Sequence, residues 1–123
     1  MFKLFLIALG GAAGTLARYG TAAVLRGVSE RTGFPFGTLV INLLGCFLIG
    51  YLFALFTERI VLRVEYQQMI LIGVLGGFTT FSSYAFESFW LLRDGHLAAA
   101  SFNIVGQVVL GIAGLAIGFA IAR

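Results

Sequence analysis

Charge is the scarcest resource in these 123 residues: only 11% are Asp, Glu, Lys or Arg. Soluble proteins carry about 25%, so this chain has too few charges to cover itself in water. Cysteine occurs once, as Cys46 inside an apolar stretch. That excludes an intrachain disulfide and a cysteine-built metal site. Histidine also occurs once, as His96, with no nucleophile beside it, so no catalytic constellation forms and no enzyme is expected. Proline is present only as Pro35, where a helix would begin. No run of Lys and Arg interleaves with aromatics, and the net charge is only +3. The electrostatic footprint of a nucleic-acid binder is therefore missing.

What the chain has instead is apolar length. Hydrophobic residues make up 60% of it, and the mean hydropathy is +1.04. Crossing a bilayer takes about 20 mostly apolar residues per helix. Four stretches qualify, at about 2–25, 36–56, 68–92 and 97–122. The opening Met1-Phe2-Lys3-Leu4 has the flank of a signal peptide. Its apolar run carries on through a Gly-rich helical pattern, so it reads as a mature helix. Charges gather between the stretches: Arg26, Glu30 and Arg31, then Glu58, Arg59, Arg63 and Glu65, then Arg93 and Asp94. Tyr66 and Trp90 lie near span ends, as interfacial aromatics do. The expected fold is an all-α, multi-pass membrane protein. It has four transmembrane helices in one domain, residues 1–123, with both termini on the same side.

Three G-x-x-x-G pairs, Gly10/Gly14, Gly73/Gly77 and Gly114/Gly118, predict close helix approach, within the chain or between chains. Basic residues on short connections set membrane orientation. Lys3, Arg59, Arg63 and Arg123 fall on one side of the predicted topology, and Arg26, Arg31 and Arg93 on the other, with Arg18 nearer the latter. The near balance predicts insertion in both orientations and an antiparallel homodimer.

Polar groups inside a span usually face a partner or a water-filled path. Two readings stand for Arg18: a side chain snorkelling to the interface, or a positive charge at the mouth of an anion path. Two also stand for Asn42: an interhelical hydrogen bond, or a donor lining a pore. Asn103 and Gln107, four apart in the last span, either line a path or bond to another helix. The most informative stretch is Gly76-Gly77-Phe78-Thr79-Thr80-Phe81-Ser82-Ser83-Tyr84. Paired glycines followed by paired β-branched threonines are poor helix formers, so the third helix is expected to break near the bilayer midplane. A break frees backbone carbonyls, and cation coordination is one way to satisfy them. Beyond it, hydroxyls alternate with aromatics. Hydroxyls donate hydrogen bonds, and ring edges are positive, so the mixture suits a small anion.

The stretch from Gly76 to Ser83 resembles the G-G-x-T-T-F-S-[ST] signature of the CrcB/Fluc fluoride channels. Gly37-Thr38-Leu39-Val40-Ile41-Asn42 is similar to that family's G-T-L-x-x-N segment. Gly10-Gly11-Ala12-Ala13-Gly14 followed by Arg18-Tyr19 is similar to its first helix. The resemblance implies an antiparallel dimer with two fluoride pores, passively exporting fluoride across the inner (plasma) membrane. It implies a shared structural Na⁺ held by the backbone carbonyls of Gly76 and Thr79. Asn42 would be a pore donor, Phe81 would set its ring edge at a fluoride position, and Thr80, Ser82 and Ser83 would supply neighbouring polar contacts. Arg18 would stand at the aqueous vestibule. Two positions depart from the pattern. Tyr84 stands where the family often has a second phenylalanine, and Asn103 and Gln107 where it often has tyrosine and then serine. The main alternative is a small dual-topology, proton-coupled multidrug exporter. That chemistry wants a carboxylate within a span; the first two spans have none, and Glu87 lies towards the end of the third. A further alternative is a non-transporting membrane assembly subunit.

Overall fold

The computed structural model describes every residue from Met1 to Arg123. Four long helical runs are joined by short turns, and no strand occurs. Helix α1 spans Phe2–Thr32. The sequence analysis ends this span near residue 25, but the helix continues through Arg26, Glu30 and Arg31. Nothing in that stretch breaks a helix until Gly33, whose φ of 68° closes the end and whose N–H bonds to the Ser29 carbonyl. Pro35 then precedes α2, Phe36–Glu58.

The third run is pieced together from α3 (Val64–Gln68), a π-helical turn at Met69–Val74, α4 (Leu75–Phe78) and α5 (Phe81–Arg93). Between α4 and α5, Thr79 and Thr80 are extended, with φ/ψ of −81°/158° and −150°/119°. After a turn in which Gly95 takes φ 80°, the fourth run comprises α6 (Leu97–Ser101), a second π-helical turn at Phe102–Gly106, and α7 (Gln107–Ala122).

Three of the runs are long and apolar enough to cross a membrane: Phe36–Glu58, Val64–Arg93 and Leu97–Ala122. Helix α1 is as long as any of them, but it carries Lys3, Arg18, Arg26, Glu30 and Arg31.

Glycine sets how the runs pack. A Cβ at Gly14 would collide with the Val74 carbonyl oxygen, and one at Gly77 with that of Gly11. Backbone therefore lies on backbone where α1 meets the first half of the third run, and the two run parallel. The same device joins α2 to α7: a Cβ at Gly118 would strike the Phe47 carbonyl oxygen, and one at Gly50 that of Leu115. All three G-x-x-x-G pairs thus serve contacts inside this chain. At the far end, Arg123 pairs with Glu58 at 3.2 Å and offers its carbonyl to Arg59. The C-terminus accordingly sits beside the connection between α2 and α3.

Candidate functional site at the interrupted third helix

The extended pair Thr79-Thr80 leaves backbone groups that no helix satisfies. Asn42 of α2 takes two of them. Its Oδ1 accepts from the Thr80 N–H at 2.9 Å, and its Nδ2 donates to the Thr80 carbonyl at 3.0 Å. One amide side chain thereby pairs with an extended residue much as a neighbouring strand would. The Thr79 N–H and hydroxyl both turn back to the Leu75 carbonyl, at 3.0 and 2.9 Å. Thr80 caps α5, its Oγ1 accepting from the Ser83 N–H at 3.2 Å. The same oxygen lies 3.1 Å from Ser83 Oγ and 3.3 Å from Ser82 Oγ.

The second N–H of Asn42 is also engaged, donating to Gln107 Oε1 at 2.8 Å. A polar chain continues from there. Gln107 Nε2 donates to Asn103 Oδ1 at 2.8 Å, Asn103 Nδ2 to Ser88 Oγ at 2.9 Å, and Ser88 Oγ to the Tyr84 carbonyl at 2.7 Å. Asn103 is wholly buried and Gln107 nearly so. Both residues therefore make bonds to other helices. The Tyr84 hydroxyl, which needs a partner away from water, donates to the Ile104 carbonyl at 2.9 Å. That carbonyl belongs to the π-helical turn at Phe102–Gly106, where the backbone ladder is irregular and side chains re-satisfy opened groups.

These elements form one wall of a groove of about 390 Å³. Asn42, Thr80, Phe81, Tyr84 and Gln107 line it, together with Gly76 and Thr79 and an apolar remainder that includes Cys46 and Leu75. Phe81 is 79% exposed, and its ring lies 5.4 Å from that of Tyr84 at 46°. Ser82 and Ser83 reach the groove only through Thr80, and Asn103 stands behind Gln107. Arg18 is half-buried on α1, forms no ion pair and does not line the groove.

No cluster of His, Cys, Asp or Glu could hold a metal. A hard cation such as Na⁺ does not require one, since backbone oxygens suffice. The groups around the interruption fit that role. The Thr79 and Thr80 N–H groups turn to Leu75 and Asn42 rather than to Gly76. A Cβ added at Gly76 would meet nothing within 4 Å, so the surface beside it is open.

The family description "CrcB-like protein, Camphor Resistance (CrcB)" matches residues 5–119. The chain belongs to the CrcB family. Similar proteins named "Fluoride-specific ion channel FluC" include one from Solidesulfovibrio magneticus, 47% identical over 98% of this chain and 96% of the relative. One from Maridesulfovibrio salexigens is 44% identical over 100% and 97%. One from Nitrosococcus oceani is 42% identical over 98% and 96%. Each is named as a channel and none as an enzyme. With three apolar spans, this CrcB-family chain is a membrane protein.

Two bonds at this site were outside the reach of sequence reasoning. Thr38 Oγ1 donates to Glu87 Oε1 at 2.6 Å, while Glu87 Oε2 is buried without a partner. Ile104 enters through its carbonyl alone, and no side chain signals that. Thr38 and Glu87 are separated by 49 residues, so only the packing of α2 on α5 pairs them.

Proposed function

We propose that this protein is a passive fluoride-selective channel that exports fluoride across the inner (plasma) membrane. All four helical runs cross it, as one domain of residues 1–123, and the interruption at Thr79-Thr80 lies near the bilayer midplane. The observation that carries this reading is the groove itself, where the Asn42-clasped interruption stands beside a largely uncovered Phe81 ring. The names of the relatives support the choice of ion.

Two copies assemble antiparallel, and each of two pores is lined by both. The near balance of basic residues supports insertion both ways. The apolar surface left open beside Phe81 supports a second chain covering it. A shared Na⁺, when bound by the Gly76 and Thr79 carbonyls, would supply positive charge and hold the two interruptions together.

Fluoride is small and tightly hydrated, so selective passage requires replacing its water without trapping it. Arg18 at the vestibule raises the local anion concentration. Asn42 donates a hydrogen bond to the ion, and the hydroxyls of Thr80, Ser82 and Ser83 replace further water. Phe81 and Tyr84 present positive ring edges, which attract an anion less strongly than a full charge does.

The test is anion efflux from liposomes holding only the purified protein, with chloride as the control. Fluoride is released rapidly and chloride is retained. Phe81→Ile abolishes the fluoride release while the protein still elutes as a dimer. Equal release of both anions, or none of either from folded protein, would overturn the reading. Release driven by a pH gradient and dependent on a drug cation would favour a proton-coupled exporter instead.

A further inference from the structure

Gln107 is not needed to hold the helix interruption. Asn42 clasps Thr80 with its oxygen and one N–H, and Gln107 engages only the other N–H. That second N–H is the one a passing anion would use, because both Asn42 and Gln107 line the groove. Gln107 occupies it with an oxygen, a partial negative charge 2.8 Å from Asn42 Nδ2.

The orientation of this oxygen is fixed from behind. An amide could turn over and present its N–H₂ instead. Ser88 prevents that. Its hydroxyl donates to the Tyr84 carbonyl, so its oxygen is left to accept from Asn103 Nδ2. Asn103 must then turn its oxygen to Gln107, which gives up its own N–H there and faces Asn42 with Oε1. Every bond in the series runs the same way, and turning any amide would set two donors or two acceptors face to face. Asn103 is completely buried and Gln107 is 8% exposed, so water cannot substitute for a lost partner.

We propose that Gln107 is a rate-setting residue whose side-chain oxygen competes with fluoride for the Asn42 amide proton. Asn103 and Ser88 hold it in that role. The proposal rests on the reading of Asn42 as a donor to fluoride. The competitor weakens ion binding at Asn42 and recovers its hydrogen bond as the ion leaves. Conduction requires such a balance, with binding good enough to admit the ion and poor enough to release it.

The experiment reads fluoride flux against fluoride concentration for the native dimer, Gln107→Met and Ser88→Ala. Methionine keeps the length of the side chain but offers no strong acceptor. Half-saturating fluoride falls by about threefold, the scale of one hydrogen bond within a membrane protein, and the maximal flux falls with it. Ser88 does not line the groove, yet Ser88→Ala shifts half-saturation the same way by a smaller factor, because Asn103 and Gln107 are freed to turn. Unchanged or raised half-saturation in folded Gln107→Met overturns the proposal; general damage to the fold would lower flux without tightening binding. The Asn42 side-chain amide is followed by NMR in the same samples without fluoride. Both protons lie downfield in the native protein, and one moves upfield in Gln107→Met. If one proton is already free in the native protein, the competitor does not exist, whether or not fluoride flows. Absence of flux with both protons bonded would instead sink the fluoride reading of the site, and the competitor with it.

Discussion

At the scale of single residues, Tyr84 shows how one added oxygen can be absorbed. Its ring faces the groove with Phe81, while its hydroxyl is spent on the Ile104 carbonyl. The hydroxyl therefore fastens α5 to the fourth run and is not offered to an ion. Tyr84→Phe keeps the ring and removes that fastening. It should lower stability by about 1 kcal/mol, within the range of interhelical hydrogen bonds in membranes, and leave fluoride flux within about twofold of native. Reversible unfolding in detergent and liposome efflux on the same preparation check the two halves. A tenfold change in flux would mean that the hydroxyl does meet the ion.

Residues are also where sequence reading ran out. Asn42, Asn103 and Gln107 stood out as polar groups in apolar spans, and that is legible because hydrocarbon makes such groups costly. Their partners were not legible. Asn42 lies 38 residues from Thr80 and 65 from Gln107, and no spacing rule links positions so far apart. The direction of the hydrogen bonds depends on Ser88, whose own acceptor is a backbone carbonyl.

At the scale of elements, glycine pairs in the sequence translate directly into contacts. Gly14 and Gly77 sit where α1 and the third run touch through backbone alone. Gly14→Val should cost about 3 kcal/mol or more, since neither side has a flexible group that could give way. Gly20, also on α1, has nothing within 4 Å of an added Cβ. Gly20→Ala should leave stability unchanged, or raise it by up to about 1 kcal/mol through helix propensity. Detergent unfolding curves of the two variants make the comparison, and equal effects would refute this account of the packing. The same logic explains a boundary that sequence missed. The charged end of α1 stays helical to Thr32 because polarity alone does not stop a helix, and the left-handed Gly33 does. The π-helical turns have no sequence signature of their own, since they arise from how neighbouring runs fit together.

At the scale of the molecule, the balance of positive charge makes a testable statement about orientation. Two lysines added to the connection between α2 and α3, beside Arg59 and Arg63, should draw that side to the cytoplasm in nearly every copy. A reporter fused to the C-terminus, which lies at the same end as that connection, would then read one orientation where the native chain reads two. The all-helical fold and its apolar runs were legible because lipid tolerates few architectures. The number of spans is less plainly written, because α1 mixes spanning length with five charged residues.

The π-helical turns bear on how such chains diverge by insertion and deletion. A π-helical turn accommodates one residue more than an α-helix over a comparable stretch of backbone. Removing a residue from Phe102–Gly106 would let the ladder close as an ordinary helix. Everything beyond would then rotate by about 100° relative to what precedes it. Gln107 would swing away from Asn42, and the Gly111–Gly118 edge would leave its seat on α2. The fourth run is therefore locked to its present reading frame. Related chains should vary freely in their loops and at their lipid-facing side chains, while keeping the residue count between Asn103 and Gly118 fixed.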